Sequence, residues 1–446
     1  MSSPTPTSAP IPFSEPPYLL NLPTPYFTPS HLAWQRAIRP FLQTHLHTHA
    51  IAHETAGTLP PATFTAFARA GMLLPALPAP LPVSWLHRLG IRTLLGGLPV
   101  EEFDALHGYI YADEMVRSGL AGPGASLTTG MAFGVPLVLR FAREAVKERV
   151  LPGLLRGETR CCIAITEPGA GSDVAGVETR AVRSACGRWW VVDGEKKWIT
   201  NGIWSDYATM AVRTGPPGSG AKGISLLLVP LKNTPGVKMR RLSVSGTASS
   251  GTTYISLEDV RVPIDHLLGE ENQGMRYIMT NFNHERLVVA TGATRQARVA
   301  LTAAFEYVLK REAFGKPLVE QPVVRHRLAK AGALLESQTA WVEQFAYMMT
   351  KMPHEQAGVL LGGPTALLKA HAGMVFKECA DTAVLLFGGN GYTKTGQGQL
   401  VEMLYREVMG TRIPGGSEDV LLDLAVRQLV KIYRMHTKML EADSKL

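Results

Sequence analysis

The pattern of apolar and polar positions divides the chain into three parts. Between about residues 29 and 157 apolar residues recur with a helical period, as at Ala142, Val146 and Val150. Between about residues 160 and 263 short runs rich in β-branched and aromatic residues follow one another, separated by turn residues. Beyond that segment the helical period returns. The pattern therefore predicts helices, then β structure, then helices, without an internal repeat.

The middle segment is predicted to form a small antiparallel barrel or sandwich. Its predicted turns include Asp193-Gly194, Asn201-Gly202 and residues 216–218. The predicted strands are residues 162–165, 189–192, 198–200, 207–212, 224–229 and 252–262.

The last part of the chain predicts four long helices. Residues 274–312 contain no proline and form the first, and the second follows Pro322. The third covers about residues 355–387 with a break at Pro364, and the fourth begins after the N-cap residue Ser417. Long helices with short connections are typical of a bundle.

These elements predict a multidomain α+β protein. The predicted segments are a Pro-rich N-terminal arm (1–30), an N-terminal α-helical domain (31–158), a middle β domain (159–268), a C-terminal four-helix bundle (269–440) and a tail (441–446).

Composition narrows the class of protein. Apolar residues make up 46% and charged residues 18%, which excludes a wholly disordered chain, and no apolar run approaches the ~18 residues of a membrane helix. The net charge of +8 is spread without a basic block, which suits phosphate-bearing small ligands or simple solubility better than nucleic acid. Four cysteines without a CxxC pair suit a reducing compartment.

The N-terminal end of the chain predicts an extended arm, and the C-terminal end predicts a targeting signal. The first 30 residues are rich in Pro, Ser and Thr and lack the basic and apolar regions of a secretory signal. The sequence closes on Ser444-Lys445-Leu446, which matches the peroxisomal targeting tripeptide. We therefore expect a peroxisomal protein that binds the peroxisomal import receptor.

The most informative single residue is Glu285. It follows Met275, Ile278 and Phe282 and precedes Val289 in steps of three and four residues, so a carboxylate interrupts an apolar stripe. Burial raises the pKa of a carboxyl group, and a general base that works near neutral pH needs such a group. The alternative is a Glu at the edge of the stripe, or one paired with a neighbouring helix.

Three turn-rich motifs are ambiguous when each is considered alone. Residues 166–173 are a Pro-Gly loop whose backbone N–H groups can face a ligand, and residues 198–202 combine an aromatic ring, a hydroxyl and a turn. Residues 388–392 form either a helix cap or an anion-binding concavity. The alternatives are ordinary loops and a hairpin with a core Trp. Neither nucleotide-binding glycine motif, GxGxxG or GxxxxGK[ST], occurs.

A histidine cluster offers a weaker metal hypothesis. His45, His49 and His53 share one face of a predicted helix at i+4 spacing. No carboxylate or cysteine at ligand spacing completes a site, so a solvated or packed helix face is favoured and no metal is predicted.

Taken together and in order, the motifs resemble those of the acyl-CoA dehydrogenases from about Trp34 to Tyr433. The matching segments are residues 151–158, 165–173, 198–202, 258–263, 311–316 and 388–392. The resemblance implies non-covalent FAD, an acyl-CoA substrate and a homotetramer built as a dimer of dimers.

The resemblance also implies the residues that hold the flavin. Thr200 occupies the place of a hydroxyl near flavin N5, and Ser417 lies beside the cofactor. The implied contacts of the same subunit are Ile165, Thr166, Gly171, Ser172, Trp198, Thr200 and Ser417, and those of the neighbouring subunit are Arg311, Phe314, Gly388 and Gly389.

The resemblance identifies Glu285 as the base of α,β-desaturation. The family places its catalytic Glu at one of two positions, and here the first is Gly415, which has no side chain. The second lies in Glu285-Arg286-Leu287, as in the isovaleryl- and long-chain-type members. Glu285 then removes the α-proton and the β-hydride passes to flavin N5. A backbone N–H near Gly415 and the flavin ribityl hydroxyl stabilise the thioester oxygen.

Two departures from the family pattern concern FAD. Many members have Gln where this chain has Pro322, and many have Gln where it has Leu385. Both positions usually help to hold the dinucleotide end of FAD across the subunit contact, so an unusual FAD affinity or subunit geometry is expected.

Several alternatives remain open. The electron acceptor is an electron-transfer flavoprotein, or oxygen if the protein is a peroxisomal acyl-CoA oxidase. A nitroalkane-oxidising relative is disfavoured because an Asp base is expected there. The non-enzymatic alternatives are a DNA-binding relative and an assembly factor; the absence of a basic extension argues against the first. Retained Glu285, Thr200 and Arg311 argue against the second.

Overall fold

The computed structural model describes residues 9–443 of the chain. Residues 1–8 of the predicted arm and the tripeptide Ser444-Lys445-Leu446 lie outside the described part. Within it, no helix is long and apolar enough to cross a membrane.

The N-terminal part is helical, as predicted. Val146 and Val150 are buried in the last helix before the sheet, whereas Ala142 lies just ahead of that helix. The helices are α1 (Pro29–His45), α2 (Ala50–Ala56), α3 (Pro61–Arg69), α4 (Val83–Arg88), α5 (Ala105–Met115), α6 (Ala121–Thr129), α7 (Val135–Phe141) and α8 (Glu144–Arg156).

The middle part is an eight-stranded sheet. Six strands follow the order β6-β7-β3-β2-β4-β5, β8 continues it beyond β5, and β1 pairs with β4. The β1–β4 and β2–β4 pairs are parallel, which differs from the all-antiparallel prediction. The strands are β1 (Cys161–Ala164), β2 (Arg180–Arg183), β3 (Trp189–Ile199), β4 (Tyr207–Arg213), β5 (Ile224–Pro230), β6 (Val237–Arg241), β7 (Thr253–Pro263) and β8 (Leu267–Leu268).

The sheet is apolar on both faces. Along β5, Leu226 and Leu228 belong to the large core shared with the helices, whereas Leu227 and Val229 belong to a second core on the opposite face. Successive side chains of a strand point to opposite faces, so a continuous apolar run places residues in both cores. The sheet thus packs one face against the helices and encloses a second core of its own with the other, which fixes the loops at its strand ends.

Two predictions within the sheet are wrong. Asp193-Gly194 is not a turn, and residues 198–200 do not begin a new strand, because β3 continues from Trp189 to Ile199. The strand is irregular at both places, with register shifts after Val192 and after Lys196. A bulge tolerates residues that usually mark turns, and this explains the error. The sequence pattern also missed the short, mostly exposed strands β2 and β6.

The C-terminal part contains the predicted long helices. The chain adds a short hairpin after the first, and the prediction missed one helix, α14. The elements are α9 (Gly274–Met279), α10 (Phe282–Lys310), β9 (Glu312–Ala313), β10 (Lys316–Pro317), α11 (Pro322–Lys351), α12 (His354–Leu360), α13 (Gly362–Phe387), α14 (Gln399–Arg412) and α15 (Glu418–Asp443).

Two of these helices are interrupted at other points than the sequence predicted. The helix expected from residue 274 divides between Met279 and Phe282 into α9 and α10. The expected break at Pro364 falls at Leu361, and Pro364 lies in the first turn of α13, where proline costs no backbone hydrogen bond.

The histidine face is also divided. His45 ends α1, whereas His53 lies in the separate helix α2, and the shared face of three histidines does not form. The His45 ring instead lies against Phe41, with ring centroids 4.5 Å apart. His49 and His53 remain neighbours at 5.9 Å between centroids.

The described part of the N-terminal arm is fastened across the helical domains. The Glu15 carboxylate accepts hydrogen bonds from Arg39 at 2.9 and 3.1 Å. Arg298 of α10 donates to the carbonyls of Phe13 and Glu15 at 3.2 and 3.1 Å. The Phe13 ring lies over Gly332 of α11, where any Cβ would overlap it. The arm therefore ties α1 to the bundle.

Replacing Glu15 by Ala is expected to lower the free energy of unfolding by about 1–3 kcal/mol, because the buried Arg295 and the half-buried Arg39 lose a carboxylate partner. Chemical denaturation monitored by circular dichroism measures the change. Glu258→Ala is the control, since its side chain is 82% exposed, and it should change stability by less than about 0.5 kcal/mol. Equal stability of the two variants would show that the arm contributes nothing.

Candidate active site

Glu285 lies in the first turn of α10, just after the break between α9 and α10. Its residue is only 8% exposed. The Asn281 side-chain amide donates to Glu285 Oε1 at 3.0 Å and to the carbonyl oxygen of Ala132 at 3.0 Å. Asn281 therefore links the carboxylate to the turn between α6 and α7, and the helix break is what brings its amide to Glu285.

Burial dominates the electrostatics of Glu285. It raises the pKa of this carboxyl group to about 7, and the hydrogen bond from Asn281 and the charge of Arg286 only partly oppose it. Arg286 is itself 7% exposed, its guanidinium lies 5.0 Å from the Phe282 ring centroid, and its Nε is buried without a hydrogen-bond partner. A carboxyl group with this pKa is half ionised near neutral pH and can accept a proton.

Gly415 packs against α10 one turn beyond Glu285. A Cβ built on Gly415 would lie 3.9 Å from Cγ2 of Val289, which is one turn further along α10, and 3.8 Å from Cε of Lys369. Gly415 has φ of 70° and the following Gly416 has φ of 99°, a left-handed backbone that favours glycine. The two places where the resemblance allows a base are therefore neighbours, and only one of them carries a carboxylate.

A buried ion pair supports the loop after β1. Lys196, which is fully buried, donates to Glu167 Oε1 at 2.6 Å and to the carbonyl of Ile165 at 3.1 Å. The Glu167 carboxylate also accepts from the backbone N–H groups of Glu178 and Thr179 at 2.7 and 3.0 Å. These bonds fix the backbone that carries the predicted contacts Ile165 and Thr166.

The loop after β1 and the end of β3 face the same space. The backbone N–H of Lys197 donates to the carbonyl of Thr166 at 2.9 Å, which holds Thr166 next to the end of β3. Trp198 has φ of 61° at the second irregularity of β3, and 49% of the residue is exposed. Thr200 follows β3 and is half-buried.

Ser172 and Ser417 join the loop to the bundle. Their hydroxyl oxygens lie 3.4 Å apart, although 245 residues separate them in the chain. Ser417 directly precedes α15 and follows the Gly415-Gly416 turn. Gly171 is exposed next to Ser172, and a Cβ built on it would meet nothing within 4 Å. The flavin contacts predicted for the same subunit are therefore linked: the loop after β1 meets the end of β3 at Thr166 and the turn before α15 at Ser417.

The flavin contacts predicted for the neighbouring subunit lie at the other end of the bundle. Arg311 follows the last residue of α10, so about 39 Å of helix separates it from Glu285 at ~1.5 Å per residue. Phe314 is 91% exposed. Gly388 and Gly389 follow α13 close to this end, where Asn390 donates to the Tyr307 hydroxyl at 3.1 Å. A single chain therefore does not bring the contacts predicted for the two subunits together.

The two departures from the family pattern lie in the same region. Pro322 is the first residue of α11 and Leu385, near the end of α13, is 61% exposed. The Nε2 atom of Gln321 is buried without a hydrogen-bond partner.

Four further residues support this part of the molecule and were not predicted from the sequence, namely Glu167, Lys196, Asn281 and Lys369. Glu167 lies within the motif of residues 165–173, so that motif contained a signal for it. Lys196 and Lys369 have partners distant in the chain, and Asn281 reaches Glu285, four residues on, only because the helix breaks between α9 and α10.

One side-chain cluster has the composition of a metal site. It consists of His31, Asp104 and His107. The Asp104 carboxylate accepts from the backbone N–H groups of Leu106 and His107 at 3.0 and 2.9 Å, which caps α5. His31 Nδ1 accepts from the backbone N–H of Thr28 at 2.9 Å, and its Nε2 lies 3.1 Å from Asp104. These bonds use both His31 nitrogens, and the cluster is explained as a helix cap.

Comparisons with known proteins identify the family. The acyl-CoA dehydrogenase family models match the chain in three parts, namely the N-terminal domain over residues 28–158, the middle domain over residues 162–260 and the C-terminal domain over residues 272–430. Together they cover most of the chain. This result favours the enzymatic prediction over the DNA-binding and assembly-factor alternatives.

Individual relatives agree with the family models. The acyl-CoA dehydrogenase apdG of Emericella nidulans is 61% identical over 96% of this chain and 98% of its own length. The mitochondrial long-chain specific acyl-CoA dehydrogenase of Mus musculus is 30% identical over 91% of this chain and 87% of its own. The crystal structure of an acyl-CoA dehydrogenase from Geobacillus kaustophilus has a TM-score of 0.79 at 29% identity, covering 91% of this chain and 100% of that one.

FAD is the cofactor of this family, and the residues of the loop after β1 and the end of β3 fit it. The half-exposed Trp198 offers a flat apolar face, and Thr166, Ser172 and Thr200 add hydroxyl groups. A Cβ built on Gly169, like one on Gly171, would meet nothing within 4 Å, so open space lies against this loop. The fold, the surroundings of Glu285 and the three matching domains lead to one conclusion: the chain belongs to the acyl-CoA dehydrogenase family, whose members are FAD-dependent oxidoreductases.

Proposed function

We propose that this protein desaturates an acyl-CoA thioester between its α and β carbons, and that Glu285 is the base. One observation carries the proposal: Glu285 is a buried carboxylate with a pKa raised to about 7, and the Gly415 turn packs against the same helix one turn further on. The α-proton of a thioester is weakly acidic. Its removal needs a desolvated base and donors for the developing oxygen charge.

The chain's own groups have separate tasks in this scheme. Ionised Glu285 takes the α-proton, and the electron pair of the broken C–H bond moves towards the thioester carbonyl. The backbone N–H of Gly415 donates to that oxygen. Asn281 holds Glu285 in place through the 3.0 Å hydrogen bond, and Arg286 opposes the burial that favours the protonated carboxyl. Bound FAD supplies the acceptor for the β-hydride, and the α,β double bond completes the electron balance.

We further propose that the complete flavin site needs a second subunit. In one chain about 39 Å of helix separates Arg311 from Glu285, and Phe314, Gly388 and Gly389 lie near the Arg311 end of the bundle. The exposed Phe314 side chain is available to a neighbouring copy. A dimer of dimers satisfies this requirement. Analytical ultracentrifugation of the FAD-loaded protein tests it, and a monomer with full activity would contradict it.

Anaerobic titration with a panel of acyl-CoAs tests the proposed reaction. Bleaching of the flavin by one class of thioester identifies the substrate, and no bleaching by any thioester would contradict the proposal. Admission of air then separates the acceptors: rapid reoxidation indicates an oxidase, and slow reoxidation indicates a dehydrogenase that uses an electron-transfer flavoprotein.

The peroxisomal localisation remains a prediction of the sequence. Imaging of the full chain fused to an N-terminal fluorescent protein, with and without residues 444–446, tests it. Loss of peroxisomal signal with the tripeptide is the expected result.

The reaction rate is expected to rise with pH through about pH 7. Glu285 acts only when ionised, and its pKa of about 7 means that the ionised fraction grows between about pH 6 and pH 8. The pH profile of kcat/KM, with the best acyl-CoA of the panel, measures this. The residual activity of Glu285→Gln should lack this rising limb. A wild-type profile that falls with pH between about pH 5 and pH 7 would argue against a carboxylate base.

A further inference from the structure

Lys369 is a buried cation that the proposed reaction does not yet explain. It lies on α13 and is 1% exposed. Within the described part of the chain its ammonium has no carboxylate within ion-pair distance. Its hydrogen bonds go instead to two backbone carbonyls, Gly416 at 2.7 Å and Arg412 at 3.4 Å. Burying a charge without an acidic partner is costly, so a specific gain is expected from its position.

The two carbonyl groups lie at the two ends of the segment that connects α14 to α15. Arg412 is the last residue of α14, and Gly416 comes two residues before α15. Between them lie Ile413, Pro414 and Gly415, so Lys369 spans the turn whose Gly415 N–H is the proposed donor to the thioester oxygen. Gly415 has no side chain, and both glycines have positive φ. Such a turn has little conformational restraint of its own.

The surroundings of Lys369 keep it next to the reaction site. Its Cε lies 3.8 Å from the place of a Gly415 Cβ. One turn further along α13, a Cβ at Gly373 would lie 2.9 Å from Cγ of Arg412, so this glycine lets the end of α14 approach. The Arg412 guanidinium pairs with Glu418 at 2.6 Å, which leaves Lys369 without that carboxylate.

We propose that Lys369 is a positioning residue that holds the Arg412–Gly416 connection, aims the Gly415 N–H at the thioester oxygen and stabilises the enolate formed by proton removal. This inference rests on the proposed function. Lys369 takes no proton from the substrate and donates no hydrogen bond to it. It acts through two carbonyls and, as a cation, through its charge near the developing anion.

Burial and the charge of Arg286 lower the pKa of Lys369 to about 7, and Glu418 opposes this. Near pH 7 the amine is therefore about half protonated, so its charge acts on the enolate mainly below about pH 7, whereas its N–H groups can donate to the two carbonyls in either form.

The test measures enolate formation without turnover. A 3-oxoacyl-CoA such as acetoacetyl-CoA has an acidic α carbon, and its enolate absorbs in the near ultraviolet. The pH at which the bound ligand ionises therefore reports how well the site stabilises an enolate. The FAD-loaded wild type, Lys369→Met and Lys369→Gln are titrated with this ligand. Lys377→Met is the control, because Lys377 lies on the same helix with its side chain 45% exposed.

Lys369→Met is expected to raise the ionisation pH of the bound ligand by at least about one unit, which corresponds to tenfold weaker enolate stabilisation. Its kcat should fall by about 10- to 100-fold, with KM changed less than about threefold. Lys369→Gln keeps one donor and should show an intermediate shift, and Lys377→Met should match the wild type.

Unchanged ligand ionisation in a folded Lys369→Met or Lys369→Gln variant would overturn the inference, and so would failure of both variants to fold, since Lys369 would then be a core residue only. Failure of the proposed function looks different, because in that case the wild type itself would not ionise the bound ligand.

Discussion

Replacing Glu285 by Gln is expected to slow flavin reduction by an acyl-CoA at least about 100-fold while FAD stays bound. The side-chain amide has nearly the shape of the carboxyl group and still accepts the hydrogen bond from Asn281, but it cannot take a proton. Rapid-mixing absorbance of the purified yellow variant measures the rate and the flavin content together.

A buried carboxyl group away from the site provides the matched control. Glu343 on α11 is 6% exposed, and burial raises its pKa to about 7, as it does for Glu285. Its hydrogen-bond partner is the Tyr109 hydroxyl at 3.4 Å. Glu343→Gln should therefore keep near-normal flavin reduction. Near-normal reduction by Glu285→Gln would remove Glu285 from the mechanism.

The same substitution should change how stability depends on pH. The pKa of Glu285 is about 7 when folded and near 4.5 when unfolded, so the unfolded chain releases its proton first as pH rises. The raised pKa contributes about 3 kcal/mol to the free energy of unfolding below about pH 4.5. This contribution is lost as pH rises through about 7. Relative to the wild type, Glu285→Gln should gain Tm between about pH 5 and pH 8, without a loss of folding.

The second large effect is expected at Lys196. Lys196→Met leaves the buried Glu167 carboxylate without its cation, and removing one partner of a buried ion pair costs about 3–5 kcal/mol. The lost bonds also include the one to the Ile165 carbonyl, so the loop that carries Thr166 should loosen. We expect at least about tenfold weaker FAD retention, measured by equilibrium dialysis, together with a lower Tm.

A surface ion pair provides the comparison for Lys196. Arg88 and Glu148 lie 2.7 Å apart with side chains 52% and 44% exposed. Arg88→Met should leave both Tm and FAD retention close to those of the wild type, because exposed ion pairs contribute little. If Lys196→Met behaves like Arg88→Met, the ion pair does not support the flavin loop.

The order of the helical, β and helical parts could be predicted from the sequence, because the period of apolar positions is a local property. The helices before residue 157, the long helices α10, α11 and α13 and the family resemblance are all confirmed. The predicted boundaries of these elements are wrong where tertiary contacts determine the backbone conformation. Gly194 continues β3 through a bulge because it approaches Thr179, and a Cβ there would lie 2.7 Å from the Thr179 Cα atom. No local pattern contains that contact.

The candidate site was predictable in part for a similar reason. Glu285 was visible because a carboxylate in an apolar stripe is locally unusual, and its burial is now observed. Asn281 and Lys369 were not visible, since their importance depends on a helix break and on a carbonyl more than 40 residues away. The helix break itself has no proline to mark it.

The most direct measurement of the central claim isolates proton removal from hydride transfer. A 3-thiaacyl-CoA carries sulfur at its β position and has no β-hydride to lose, but its α-protons remain acidic. Mass spectrometry follows the entry of solvent deuterium at the α carbon while the ligand is bound to the FAD-loaded protein. We predict fast exchange with the wild type and with Glu343→Gln, and exchange slowed at least about 100-fold with Glu285→Gln. Equal exchange in all three would contradict Glu285 as the base.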